Sequence, residues 1–213
     1  EYSPMLSRLV PAVIVAAAAV APLAGLAPAP RTDTAPVTIA APTSFKVDAV
    51  HSKALFRVKH LGASHFYGRF NEVAGTFSMD TDSNAPIKFD LSIPVASVDT
   101  GNENLDNHLK SPDFFNAREF EAMTFVSSGI EKSGEGAYAV TGDLTIHGVT
   151  KQVTATVEFV GATEISPRMG FRSGYETSFT IDRTDFGMDY GVDGGMLGPD
   201  VKVIVSLEGI RAE

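Results

Sequence analysis

The sequence predicts an all-β domain, an antiparallel barrel or sandwich of about eight strands with one short helical insert. Three observations predict it. Apolar residues recur at every second position in segment after segment from Phe45 onward. Strands do not alternate with long helical patterns, so no βαβ rhythm is present. Only Asn102 to Phe115 carries helical spacing. At 213 residues the chain suffices for one substantial domain with its own core.

The N-terminal part reads separately. Arg8 precedes the Ala- and Val-rich run Leu9 to Ala27, which is followed by small residues and prolines, the order of a secretory signal. Residues 1–29 are therefore expected to be a signal peptide, with a weak N-terminal anchor as the alternative, which Pro11 and Pro22 disfavour by interrupting the run. Four residues precede Met5, so the true start is expected elsewhere than at Glu1. Residues 30–43 are rich in Pro, Ala and Thr and read as an extended linker, leaving 44–213 as the barrel domain.

Within that domain Phe45 and Val47 open the alternation. Ala54, Phe56, Val58 and His60 share one face of the next strand, while Leu55, Arg57 and Lys59 share the other. Phe70 to Phe77 continues the pattern around Gly68 and Gly75. In Lys88 to Val98, Phe89, Leu91, Ile93 and Val95 alternate with Lys88, Asp90, Ser92 and Pro94; Pro94 marks an edge or a bulge. Met123 to Ile130 is followed by a hairpin whose arms alternate through Tyr138, Val140, Leu144 and Ile146, then Val153, Ala155, Val157 and Phe159. Its turn is assigned to His147-Gly148-Val149-Thr150. Phe171 to Ile181 and Val201 to Leu207 complete the set, joined by a glycine-rich, aperiodic stretch from Asp182 to Pro199 that reads as a long loop gating one end.

Composition removes several classes of function. The net charge of −9 and the absence of a Lys/Arg run argue against nucleic acid. The chain has no Cys, which excludes disulfides, thiolate nucleophiles and Cys-ligated metals. It has no Trp but 14 Phe, an aromatic complement suited to a dry interior.

In the insert, Leu105, His108 and Leu109 lie on one helical face, while Glu103, Asn107 and Lys110 lie elsewhere. Ser111-Pro112-Asp113 reads as a second helix start, with Ser as N-cap and Pro at the first helical position, delivering Phe114 and Phe115 toward the sheet. On the simplest reading these apolar residues plug one end of the barrel, with Asp106 and His108 hydrogen-bonded nearby.

Asp106-x-His108-Leu109-x-Ser111-x-Asp113-Phe114-Phe115, with Phe120 and Thr124-Phe125, resembles the signature of the YceI-like family of polyisoprenoid-binding periplasmic proteins. Further pieces follow in the family's order: Asp48-x-x-His51-Ser52, Phe56-x-Val58-x-His60, Gly142-x-Leu144-Thr145-Ile146-x-Gly148-Val149-Thr150-Lys151 and Phe179-x-Ile181-x-Arg183-x-Asp185-Phe186-Gly187. Glu121 and Asp182 depart from the family's usual Pro and Asn at element boundaries, where local geometry is expected to change and the fold is not.

The resemblance implies an eight-stranded antiparallel lipocalin-like barrel, located in the periplasm or secreted, whose apolar pore holds a polyisoprenoid, an isoprenoid quinone or a similar long-chain lipid for transport or storage. Candidate lining residues are Phe56, Val58, Phe89, Leu91, Ile93, Val140, Leu144, Val157, Phe159 and Phe179; the competing reading of each is ordinary core. Asp106, His108, Leu109, Ser111, Asp113, Phe114 and Phe115 become a gate or a structural cassette. A carrier of this kind implies transient membrane contact and admits a homodimer.

Rival chemistries lack a pattern. His51, His60, His65, His108 and His147 show no recognised metal-ligand spacing, so no metal and no other cofactor is expected. No Gly-x-Ser-x-Gly and no His-Glu-x-x-His occurs, and no enzyme activity is expected. A transmembrane barrel is disfavoured because the hairpin arms carry Thr154, Thr156 and Glu158 without aromatic girdles. A structural or stress-associated domain with a filled core is the remaining alternative.

Overall fold

A computed structural model describes residues 41–212; the expected signal segment and most of the expected linker lie outside the described residues. The elements are β1 (Thr43–Val47), β2 (Lys53–His60), β3 (Ser64–Phe70), β4 (Ala74–Asp80), β5 (Ala85–Pro94), β6 (Val98–Asp99), α1 (Glu103–Leu109), β7 (Ala122–Gly134), β8 (Ala137–Ile146), β9 (Val149–Glu164), β10 (Phe171–Asp182) and β11 (Leu197–Arg211). Every pairing is antiparallel, and the order β1-β4-β5-β7-β8-β9-β10-β11 returns to β1, closing an eight-stranded barrel.

Eleven strands make eight staves because three staves are broken. β1 and β2 both lie along β11, with Phe45 opposite Arg211 at one end and Val58 opposite Val201 at the other. β4 and β3 line up beside them in the same way, and β5 and β6 form the third broken stave around a 3-10 turn at Val95–Ser97. Pro94 ends β5 where that turn begins, since it has no N–H to extend a ladder. At the first break the Ser52 hydroxyl donates to the Glu208 carbonyl (3.1 Å) and accepts from the Glu208 N–H (3.0 Å). The Glu208 carbonyl also accepts from the Asp48 N–H (2.8 Å), and the side chain supplies the acceptor that the interrupted backbone does not offer the Glu208 N–H.

The hairpin joining β8 and β9 is tighter than the sequence suggests. Ile146 already pairs with Val149, so the turn is His147-Gly148 alone, with φ of 51° and 74°. Two successive positive φ values match the right-handed twist of the flanking strands, which lets Val149 and Thr150 enter the ladder.

One end of the barrel is closed by aromatic rings. Phe45 and Phe77 stack at 5.0 Å, and Tyr175 meets Phe77, Phe89 and Phe159 at 5.4, 5.5 and 5.6 Å. The Tyr175 hydroxyl, whose pKa burial pushes well above its usual value, donates to the Asn84 carbonyl (3.1 Å). A Cβ at Gly209 would lie 2.4 Å from the Phe77 ring, so glycine is required where β11 passes the plug. Apolar side chains face inward, whereas Arg57, Lys59, Lys88, Asp90 and Glu158 lie at outward positions of the alternation. A transmembrane barrel has the reverse polarity. Among the described residues no helix is long and apolar enough to cross a membrane.

Removing a plug ring leaves a void that its rigid neighbours cannot fill. Phe77→Ala is expected to lower stability by about 3–5 kcal/mol; a chemical denaturation curve with an unchanged midpoint would refute the plug's role.

Candidate functional site

Above the plug the barrel is hollow. The cavity holds about 460 Å³, and its wall is built from the inward positions of the strands. Phe56 and Val58 on β2, Phe89, Leu91 and Ile93 on β5, Val140 and Leu144 on β8, Val157 on β9 and Phe179 on β10 all line it. Phe159 does not. It shares the inward face of β9 with Val157 but sits deeper, against Tyr175, where the plug fills the interior. Period-2 alternation assigns a face, and height along the barrel decides between pore and plug.

The wall also includes Phe125, Val153, Ile181, Val201, Val203 and Val205. The alternation of the β11 valines places them inward; only closure of the sheet brings them opposite Phe56 and Leu91. Less legible is the contribution of Met188, Tyr190 and Met196 from the stretch between β10 and β11, which has no periodicity to betray an inward face.

Two loops cover the mouth. The first is the insert. Asn102 caps α1 by accepting from the Leu105 N–H (3.1 Å), using one of the helix's unpaired donors. The Asp106 carboxylate accepts from the Thr100 N–H (2.7 Å) and hydroxyl (2.6 Å), tying the helix to the end of β6. His108 Nε2 and Asp113 Oδ2 lie 2.9 Å apart, and the Ser111 hydroxyl accepts from the Asp113 N–H at 3.3 Å. His108, Leu109, Phe114 and Phe115 reach the cavity, while Asp106, Ser111 and Asp113 hold them there.

The second helix expected at Ser111 is a hydrogen-bonded turn instead. The Phe114 and Asn116 N–H groups both donate to the Ser111 carbonyl, and Asn116 adopts φ 46°, which stops helical propagation after one turn.

The second cover is the loop after β10. Arg183 is buried, and its guanidinium donates to the carbonyls of Gly198 (2.9 Å), Met188 (2.8 Å) and Tyr190 (2.8 Å). Burial lowers its pKa, yet each of its three nitrogens donates to a carbonyl, which folds the loop back over the mouth. There the Tyr190 ring meets His108 and Phe114, each at 5.1 Å, so the two covers interlock. Asp182 accepts from the Thr184 N–H (2.8 Å) and hydroxyl (2.6 Å) and so starts this loop.

A second polar cluster lies away from the cavity, at the break between β1 and β2. Donor atoms of Asp48, His51 and Glu208 converge within 4.8 Å of one another. Arg172 already bridges both carboxylates, at 2.9 Å from Asp48 Oδ2 and in close contact with Glu208. This is an ion-pair network pinning β10 and β11 to the broken stave.

The sequence model of the YceI-like domain matches residues 45–209. This chain belongs to the YceI-like family. A UPF0312 protein of Pseudomonas aeruginosa is 38% identical over 189 residues, covering 89% of this chain and 97% of that one. The crystal structure of BcnA from Burkholderia cenocepacia superposes with a TM-score of 0.66 at 26% identity, covering 76% of this chain and 98% of BcnA. A polyisoprenoid binding domain from Saccharophagus degradans, implicated in plant cell wall breakdown, shares the fold at a TM-score of 0.62 and 16% identity, covering 80% of this chain and 99% of that domain.

The hydrogen bond from His51, opposed by burial and reinforced by Arg172, holds the Asp48 carboxyl well below its ordinary value of 3.8. A depressed folded-state pKa contributes stability that is fully present above that ordinary value and lost as pH falls toward the folded one. Asp48→Asn is therefore expected to flatten the acid limb of the stability profile. An identical acid limb in wild type and variant would contradict this.

Proposed function

We propose that this barrel binds the chain of a polyisoprenoid or similar long-chain amphiphilic lipid in its cavity, outside the cytoplasm, and carries or stores it. The observation that carries the reading is the cavity: 460 Å³ of hollow interior with a hydrocarbon wall, an aromatic floor and two interlocking covers. That volume falls within the roughly 300–1,000 Å³ of small-molecule sites. Water finds few partners on such a wall. A hydrocarbon tail finds many, and one that removes roughly 300 Å² from water gains on the order of 7 kcal/mol before association costs.

The alternative of a filled core loses support from the same hollow. Family membership and the polyisoprenoid binding reported for the Saccharophagus degradans domain support the lipid class. Polar groups at the mouth, His60 and His108, suit a head group there, with the tail reaching down to Phe89 and Tyr175. The function is binding, with no catalytic step assigned. Export rests on the signal-like run from Arg8 to Ala27, and delivery of a lipid implies transient membrane contact. A homodimer is compatible with this reading and not required by it.

Gentle purification from the native compartment, solvent extraction and mass spectrometry test it. A long-chain lipid is expected at near-stoichiometric level in wild type and at several-fold lower level in a folded Leu91→Trp variant, whose indole occupies the cavity. Protein that yields no lipid, or equal lipid from both forms, would count against the reading.

A further inference from the structure

Within a strongly acidic chain, one segment has the opposite character. From Lys53 to Phe70, covering β2, β3 and their turn, there are Lys53, Arg57, Lys59, Arg69, His60 and His65 and not one Asp or Glu. The register aligns these charges. Lys202 on β11 is opposite Arg57, Arg57 is opposite Tyr67, and Lys59 is opposite His65, so the outward positions of three adjacent strands make one basic stripe. Arg69 is neutralised by Asp99 at 2.8 Å, whereas Arg57, Lys59 and Lys202 have no carboxylate within ion-pair distance among the described residues. The nearest acid of β11 in sequence is Asp200, opposite Asp182 at the loop end.

The stripe ends at the cavity mouth in apolar side chains that face solvent. Leu61, at the tip of the β2–β3 turn, is 62% exposed and Met196 is 43% exposed, while Tyr67, within the stripe opposite Arg57, is 55% exposed. The Leu61 N–H donates to the Met196 carbonyl at 2.8 Å, which joins the hairpin tip to the loop covering the cavity; Met196 itself lines the cavity. Leu61 also adopts φ 51°, a left-handed conformation in which Gly or Asn is the ordinary choice. The local backbone does not explain a leucine there. Its exposed side chain does, if the tip has an apolar medium to enter.

We infer that the β2–β3 hairpin is a docking surface for an anionic lipid bilayer, on which Leu61 and Met196 enter the interfacial layer while Arg57, Lys59 and Lys202 engage the head groups. This rests on the lipid-carrier reading and deepens it by naming the face through which ligand leaves and joins a membrane. Two features favour a bilayer over a soluble polyanion. The apolar tip is continuous with the apolar wall of the cavity, and the aromatic Tyr67 belongs to the class of side chain that settles at the water–lipid interface. Basic residues held near an anionic surface attract it over a Debye length and no further, so the contact is reversible.

The test is vesicle flotation of the full chain, wild type against Leu61→Asn and against the pair Lys59→Gln with Lys202→Gln. Vesicles are phosphatidylcholine alone or mixed with phosphatidylglycerol. All forms share one N-terminus, so differences between them read the hairpin. Asn suits the left-handed backbone, and none of the three residues lines the cavity, so folding and tail binding are expected to persist. A polyene fatty acid probe added without vesicles reports the latter. Phosphatidylglycerol vesicles are expected to bind wild type best, with affinity falling about tenfold or more in Leu61→Asn and about fivefold per neutralised lysine. Equal vesicle binding by all forms would overturn the inference. So would binding to heparin as tight as to vesicles with Leu61→Asn without effect, which would make the hairpin a polyanion site. If the vesicle differences appear but wild type fails to take up the probe, docking stands and the carrier reading falls.

Discussion

The seam where β11 meets the broken first stave is the constraint on which the rest of the structure depends. Arg211 to Gly209 close on β1, and Val201 to Ser206 close on β2, so a single strand seals the barrel along two segments. Without that closure the inward valines of β11 would be a solvent-exposed apolar face, and there would be no cavity. The side chains concentrated on the seam follow from this. Ser52 ties its hydroxyl into the ladder at Glu208, Gly209 admits the Phe77 ring, and Arg172 fastens two carboxylates from opposite sides of the seam. These residues hold an eight-stranded barrel shut, and their chemistry is structural.

A barrel of eight strands is just wide enough to be filled by side chains or to hold one slim ligand. Here both outcomes occur at different heights. Large rings around Tyr175 fill the interior at one end, and above them Val140, Val157, Val203 and Val205 are too short to meet across the axis. The hollow that results is covered by contacts of modest strength: T-shaped and tilted ring pairs among His108, Phe114 and Tyr190, and hydrogen bonds to Arg183. Such a cover can part at little cost, since edge-to-face ring pairs contribute only about 0.5–1.5 kcal/mol each beyond area burial.

Much of this was legible in the sequence because a strand writes its inward face at every second residue. Val201, Val203, Val205 and Leu207 are inward, as their alternation indicates, and nine of the ten residues assigned to the pore line the cavity. Phe159 marks the limit of that signal, because alternation carries no information about depth along the barrel. The ordered motif pieces around His108 place the insert at one end, whereas Ser111-Pro112-Asp113 has the residues of a helix start and forms only a turn because Asn116 adopts a positive φ. Tyr190 and Met196 were not legible at all. Their inward position comes from Arg183 gathering three carbonyls of its own loop, a tertiary arrangement with no periodic trace.

The proposed binding mode puts a lipid tail inside the barrel, between the aromatic floor and the two covers. Photo-crosslinking with a prenyl chain carrying a terminal diazirine tests it most directly, followed by peptide mapping of the labelled sites. Labels are expected on floor and wall residues such as Phe89, Leu91, Val140 and Val203, competed away by unlabelled lipid. Labels confined to the outer surface, at Val50, Val160 or Ile165, or label unaffected by competitor, would contradict it.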